Sequence, residues 1–429
     1  MFGFNKKQQK AFQAIMSGFN VCITGPGGTG KSYIIQQIRE EINDETIFVA
    51  PTGIAAVNIS GATIHRTFGL STGVHLTTPN VREQIRQVLA NPKLKRLVID
   101  EISMVRADIF EAIDGILRKS RETNEPFGGL QIIVIGDFYQ LEPIVTGTEK
   151  HPFFSKYKSV YCFDTKSWKE ANFITVDLDE SMRQSDQGFV EMLNRIRVGD
   201  KDAKADIDYI NNVGMNQNDL DDSWIMLAST NGIAGEYNES MYKNLGDVFE
   251  KEYIAEIDKA SIKPVDEYLK LKLGTKVLIK ANDRDGMYVN GDRGEVVGLI
   301  DSHVVIELID GRIVHVAKNV WEEKEYVVTE DGSFKLVVIG TFKQFPIKYG
   351  WAITIHSAQG LTLDGAILNT GGRGCFSNGQ LYVALSRIRR LDKFCLMQPI
   401  RYGELMTSKE VKYFYENQDK YVSKLNYFV

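Results

Sequence analysis

Eight consecutive residues set the terms for this chain: Gly25-Pro26-Gly27-Gly28-Thr29-Gly30-Lys31-Ser32. They follow the apolar run Val21-Cys22-Ile23-Thr24, which reads as a buried strand. They precede residues 33–42, whose apolar positions recur at the three- and four-residue steps of a helix. Strand, glycine loop and helix are the context in which a glycine, four residues and Gly-Lys-Ser carry chemistry. Gly25, Gly27, Gly28 and Gly30 allow backbone N–H groups, that of Thr29 among them, to turn inward around a phosphate. The helix N-terminus adds a favourable dipole. Lys31 is then placed for the β- and γ-phosphates of ATP and Ser32 for Mg²⁺.

The flanking segments extend this into a doubly wound α/β pattern. Asn5 is the expected N-cap of a first helix whose apolar stripe is Phe12, Ile15, Met16 and Phe19. Gln8, one strand before the phosphate loop, carries the paired donor and acceptor that suit an adenine edge. Thr46–Ala50 reads as a strand that runs into Pro51-Thr52-Gly53. Gly61–Gly69 brings a hydroxyl, His65 and Phe68 into one loop, a grouping that suits phosphate contacts and base stacking on a single strand. Leu97-Val98-Ile99 ends in Asp100-Glu101. In a phosphate-loop protein this is a metal-holding acid followed by a water-polarising acid. Ile132–Ile135 ends near Asp137 and Gln140, whose neutral amide can sense the γ-phosphate. Ligands in such folds sit at the carboxyl ends of the strands.

A second α/β pattern starts near residue 173, with Phe173–Val176 and Trp224–Ala228 as strands and no second phosphate loop. Short β-branched runs punctuated by Gly and Asp then occupy 271–345 and predict a small antiparallel barrel inserted into that pattern. The pattern resumes at 349–362 and 366–368, and Leu381–Arg389 reads as a helix carrying Arg387 on one side. An aromatic and charged tail at 408–429 reads as a packed C-terminal helix.

Bulk composition narrows the function classes. No apolar stretch approaches a membrane span. The four cysteines lie far apart with no C-x-x-C pair, which fits free thiols in a reducing compartment. Met1–Lys7 lacks the apolar core of a signal peptide, so an intracellular place is expected, in the cytoplasm or nucleoid of a bacterium or phage-infected cell. With a net charge of -5, any grip on nucleic acid must be local or rest on stacking.

Taken in order, these blocks resemble superfamily 1B DNA helicases of the Pif type, with a size similar to the compact Dda and RecD-like members. The resemblance rests on Gln8, 25–32, Pro51–Phe68, Asp100-Glu101, Gly136–Gln140, Glu180–Gln184, Trp351–Thr362 and Tyr382–Arg389. Pro126-Phe127-Gly128-Gly129-Leu130-Gln131 looks like the Pif-type signature itself.

The resemblance implies a fold of two RecA-like phosphate-loop motor domains. The first, 1–172, would carry a small pin-bearing excursion at about 70–92. The second, 173–270 and 346–429, would hold an SH3-like β-barrel inserted at 271–345. It further implies that Arg183 and Arg387 reach the γ-phosphate from the second domain, at a cleft where ATP binding closes the domains and hydrolysis lets them part. Gln359 and Gly360 would lie near the nucleotide. Thr52, His65 and Phe68 in the first domain and Thr354, His356 and Ser357 in the second would lie on single-stranded DNA.

The implied activity is ATP- and Mg²⁺-dependent 5′ to 3′ translocation with unwinding of forked or tailed duplex, in DNA replication, repair and recombination, by a monomer. G-quadruplex and RNA–DNA hybrid substrates stand open. Two other readings compete with it: a translocase that displaces bound proteins without unwinding, and a nucleotide-switched DNA-binding module with little turnover. Glu142 stands where many members of the family have proline, and almost no extension flanks the expected core, so partner-binding functions of longer relatives are not carried over.

Overall fold

The computed structural model describes residues 3–180, 186–217 and 224–417. Six strands, β1 (Val21–Thr24), β2 (Thr46–Ala50), β3 (Ala62–Thr63), β4 (Arg96–Ile99), β5 (Gln131–Ile135) and β6 (Ile174–Asp177), form one sheet in the order β3-β2-β4-β5-β1-β6. Every pairing in it is parallel. β1 and β2 are buried along their whole length, as continuous apolar strands covered on both faces must be. Helices α1 (Lys6–Met16) and α2 (Lys31–Ile42) supply Ala11, Ile15, Ile34, Ile35 and Ile38 to the core over β1. Asn5 caps α1 as expected, in a reciprocal box with Gln8.

The chain divides into two compact units. One takes in Met1–Met182, Glu323–Ile339 and Ser408–Val429, and the other Arg183–Glu322 and Gly340–Thr407. Three expected boundaries differ from this division. The segment expected to open the second α/β domain is β6, which closes the free edge of β1 with Cys22 opposite Thr175 and Ile23 opposite Val176. The strands Asn319–Val328 and Phe334–Gln344 pass unrecognised in the sequence, and their tip belongs to the first unit. There the Phe48 N–H donates to the Tyr326 hydroxyl at 2.9 Å, Arg66 pairs with Glu323, and Asn91 donates to the Gly332 carbonyl at 3.1 Å. The tail helix Lys409–Glu416, expected with the second domain, also packs on the first unit. Its Phe414 stacks on Phe163 (4.6 Å, 17°) and meets Phe138 and Trp168 edge-on.

In the second unit a parallel sheet joins Ala352–Thr354, Ile225–Ala228, Ala366–Asn369 and Phe394–Leu396 in that order. A five-stranded antiparallel sheet, built from Lys276–Ile279, Arg293–Leu299, His303–Leu308, Ile313–Ala317 and Ile347–Tyr349, encloses its own core. Val277, Ile279, Val304, Ile306, Val314 and Phe345 fill that core. Among the described residues no helix is long and apolar enough to cross a membrane.

Since Phe414 contacts three aromatic rings of the first unit from a half-buried position, Phe414→Ala should lower unfolding stability by about 2–3 kcal/mol, below the range for a fully buried ring. Urea denaturation of the full chain measures this. An unchanged midpoint would show that the helix adds nothing to the unit.

Candidate functional site

The parallel sheet sends the C-terminal ends of β1, β4 and β5 to one edge, and the residues after those ends build the site. After β1 the chain makes the glycine loop. Gly25 has φ +144° and lies so close to the Leu178 carbonyl that a Cβ would sit 2.3 Å from its oxygen. Gly30 caps α2 in the left-handed region at φ +82°, where a Cβ would meet the Gln8 amide. Gly25 leaves no room for a Cβ, and any other residue at Gly30 would be strained and would displace the Gln8 amide. The Lys31 ammonium folds back and donates to the carbonyls of Gly25 and Pro26 at 2.7 and 2.8 Å. Thr29 is buried and its hydroxyl donates to Pro26 at 3.0 Å, while Ser32 stands exposed on the first turn of α2.

Gln8, expected at an adenine edge, is 2% exposed and engaged at both ends of its amide. Its Oε1 accepts from the Asn5 N–H at 3.0 Å and its Nε2 donates to the Thr29 carbonyl at 3.0 Å. In this structure it ties the start of α1 to the phosphate loop.

After β4, Glu101 takes φ +50° and ψ +45°. This left-handed conformation is one that a non-glycine residue keeps only where its surroundings enforce it. Asp100 is half-buried beside Glu101. Burial first, and the Glu101 charge second, push its pKa well up from the carboxylate range; the Lys31 charge opposes this. After β5, Asp137 organises the turn by accepting from the Tyr139 N–H at 3.1 Å and from the Gln140 Nε2 at 3.3 Å. Gln140 is 8% exposed. β1 and β5 are locked at this edge by the Gly136 N–H, which donates to the Ile23 carbonyl at 3.0 Å.

The site thus brings a glycine loop and an ammonium together with a pair of carboxylates that repel each other. The raised pKa of Asp100 marks a place where a divalent cation would relieve a real electrostatic cost. On this ground the residues fit a nucleoside triphosphate with Mg²⁺.

The first-unit residues expected on a nucleic acid divide. Thr52 is exposed and caps helix α3 (Gly53–Asn58) by accepting from the Ala55 N–H at 3.2 Å. His65, on helix α4 (Ile64–Phe68), is half-buried. Burial and the nearby His75 and Arg106 lower its pKa and favour the neutral ring. Phe68 is a correction: it is completely buried and packs the core, so it offers no ring face for a base.

In the second unit, Thr354 ends its strand buried, with its hydroxyl donating to Ser357 at 3.0 Å. His356 is half-buried, its pKa lowered by burial, and Ser357 is exposed. The expected helix over 381–389 ends at Leu385, so Arg387 lies beyond it, with the Leu363 N–H donating to its carbonyl at 2.8 Å. The Arg387 side chain is 1% exposed and donates to the carbonyls of Val383 (2.9 Å) and Leu361 (3.3 Å) and to the Ser386 hydroxyl (2.6 Å). It therefore sits against the segment that carries Gln359 and Gly360. Arg183 lies outside the described residues.

Sequence reasoning missed Tyr415, whose hydroxyl hydrogen-bonds to the Thr24 hydroxyl and whose ring stacks on Tyr139 at 4.5 Å and 16°. The available signal was the run Tyr413-Phe414-Tyr415 in the tail; nothing in the sequence says which surface that run covers. Glu142 accepts from the Tyr161 hydroxyl at 3.3 Å, a contact that proline could not make.

A family model described as PIF1-like helicase matches residues 3–207. The ATP-dependent DNA helicase Pif1 of Bdellovibrio bacteriovorus is 31% identical over 89% of this chain and 85% of that protein. The ATP-dependent DNA helicase PIF1 of Danio rerio is 32% identical over 92% of this chain, which spans 61% of that protein's length. The solved structure of Bacteroides sp Pif1 with ADP-AlF4 superimposes with a TM-score of 0.87 at 30% identity, covering 97% of both chains. That likeness carries the fold: two RecA-like α/β domains.

Two outcomes check the geometry. Phe68→Ala should cost about 3–5 kcal/mol of stability, as for a filled core position; chemical denaturation would show a much smaller loss if the ring were free for bases. Asp100 has a folded pKa above its unfolded one, so the stability it allows is complete at pH values below the unfolded carboxylate pKa and is lost as pH rises through the folded pKa. In chelator, Asp100→Asn should therefore raise the melting temperature near pH 8, with a gain that shrinks towards pH 4. A gain independent of pH would remove the electrostatic cause.

Proposed function

The chain belongs to the PIF1-like helicase family, and from that premise we propose that it is an ATP-dependent DNA helicase that moves 5′ to 3′ along single-stranded DNA and opens duplex DNA. One observation carries the proposal. The phosphate loop, Asp100-Glu101 and Gln140 converge at one edge of a parallel sheet, in a chain whose relatives bear the name ATP-dependent DNA helicase.

The roles follow from each group's chemistry. The loop N–H groups and Lys31 hold the β- and γ-phosphates, and Lys31 exchanges its contacts with Gly25 and Pro26 for phosphate oxygens. Ser32 and Asp100 would hold Mg²⁺, which supplies charge to the phosphate oxygens when bound. Glu101 polarises the attacking water, from a residue whose backbone is held in the left-handed region. Gln140, oriented by Asp137, senses the terminal phosphate without adding charge. Arg387 and Arg183 answer the charge on the transferring phosphoryl; planar cationic donors in that role contribute ~10³–10⁵ in rate. Gln359 and Gly360 lie on the segment whose Leu361 carbonyl holds Arg387, and so relate the state of that cation to Thr354, His356 and Ser357. With Thr52 and His65, these three residues are the proposed contacts to the strand.

We read the five-stranded sheet as the SH3-like insertion and the segment at about 70–92 as the element that parts the duplex. The enzyme works inside the cell as a monomer on forked or tailed DNA, with quadruplexes and RNA–DNA hybrids as substrates to be assayed beside them.

Lys31→Ala should lower ATP hydrolysis by about 100-fold or more and keep binding to a labelled oligonucleotide. Unwinding of matched duplexes with a 5′ or a 3′ single-stranded tail tests activity and direction together. Opening of the 5′-tailed duplex alone is expected. Strand-stimulated hydrolysis with neither duplex opened would leave a translocase, and hydrolysis indifferent to added strand would sink the motor reading.

A further inference from the structure

We propose that Tyr415 is a positioning residue for the phosphate chemistry, holding the loop before Lys31 and the loop before Gln140 in a single frame; this rests on the reading that the chain hydrolyses ATP. Its hydroxyl hydrogen-bonds to Thr24, the last residue of β1 and the one before Gly25. Its ring lies flat on Tyr139, the residue before Gln140, at 4.5 Å and 16°. One side chain therefore touches both segments that carry phosphate-contacting groups.

The surrounding contacts show that neither segment can drift independently of that ring. At Thr24 the backbone carbonyl accepts from the Leu178 N–H at 2.7 Å, and Gly25 is packed against the Leu178 carbonyl without room for a Cβ. A shift of Thr24 is passed to the loop directly, because there is no slack in the next residue. At Tyr139, the backbone N–H donates to one oxygen of Asp137 and Gln140 donates to the other. A shift of the Tyr139 ring is passed to the Gln140 amide through a single carboxylate.

The helix Lys409–Glu416 secures the same loop at two further points. Phe414 meets Phe138 edge-on at 5.3 Å, one residue before Tyr139. Tyr161, whose hydroxyl donates to Glu142, also lies beside Ser408 and the Glu410 carboxylate. Residues 138, 139 and 142 are thus each tied, directly or through Tyr161, to this one short helix. Glu142, where many members of the family have proline, is one of those ties.

The test uses the full chain and compares wild type, Tyr415→Leu, Tyr415→Phe, Thr24→Val and the double variant Tyr415→Phe with Thr24→Val. Steady-state ATP hydrolysis at saturating oligothymidine gives kcat and KM, and thermal melting reports folding. Tyr415→Leu should lower kcat roughly 10- to 100-fold, with KM for ATP within about threefold, since misplaced groups cost turnover more than binding. Tyr415→Phe keeps the stacked ring and should recover most of that loss. Thr24→Val should match Tyr415→Phe, and the double variant should be no worse than either, because both delete one shared hydrogen bond.

A folded Tyr415→Leu with wild-type kcat, or a loss that Tyr415→Phe does not recover, overturns the proposal. If Tyr415→Leu does not fold, the double-variant comparison decides, and additive losses count against a shared frame. A wild-type chain that hydrolyses no ATP defeats the helicase reading and takes this inference with it, whereas active wild type with indifferent variants defeats the inference alone.

Discussion

The parallel pairing of β1 with β5 on one side and β6 on the other is the constraint from which the site follows. A parallel sheet delivers every strand's C-terminal end to the same edge, so residues far apart in sequence meet without any of them having to be long. Lys31, Asp100 and Gln140 belong to three different strand–loop segments, yet each is placed by the same ladder of hydrogen bonds. The register bonds, such as the Gly136 N–H to the Ile23 carbonyl, do at the edge what a catalytic scaffold has to do: they remove the freedom of one loop relative to its neighbour.

That edge is also where the first unit departs from relaxed geometry. Glu101 keeps a left-handed backbone, Gly25 and Gly30 occupy conformations that side-chain-bearing residues rarely adopt, and Asp100 carries a carboxyl whose charge is opposed by its surroundings. None of these stabilises the fold. Each is a cost that the buried apolar strands β1, β2 and β4 offset, and each is of the kind that concentrates at functional sites. The half-buried histidines, His65 and His356, follow a related logic. Burial favours their neutral form, so neither adds net positive charge to a chain whose overall charge is -5.

What could be read in advance was whatever is local in sequence. The phosphate loop, Asn5 as a cap, the acids after Ile99 and the short strands at 277–316 are all set by neighbouring residues: glycine freedom, capping chemistry, β-branched runs. Phe68 was misread for an equally definite reason. A phenylalanine beside a hydroxyl and a histidine has the same local signature whether its ring faces solvent or the core, and only tertiary packing decides between them. β6 was misplaced because a four-residue strand carries no mark of its partner; the free edge of β1 claimed it. Arg387 was assigned to a helix that ends two residues earlier, since apolar periodicity continues past Leu385 while the backbone turns to meet Leu363. Tyr415 shows the same limit: its helix was legible, its destination was not.

The composition of the first unit argues that its phosphate site is completed late in the chain. Residues up to 182 supply the sheet and every proposed nucleotide contact in that unit, but not all of its surface. Phe414 fills the space among Phe138, Phe163 and Trp168, while Tyr326 satisfies the Phe48 backbone and Glu323 answers Arg66. These contacts come from Glu323–Ile339 and from Ser408 onward, on either side of second-unit sequence. A chain cut at 180 would bare an aromatic cluster at the foot of the Gln140 loop and leave the β1 tip without its hydroxyl partner. The first unit is therefore discontinuous for a physical reason: the loop that carries Gln140 is braced by side chains from a segment more than 260 residues further along the chain.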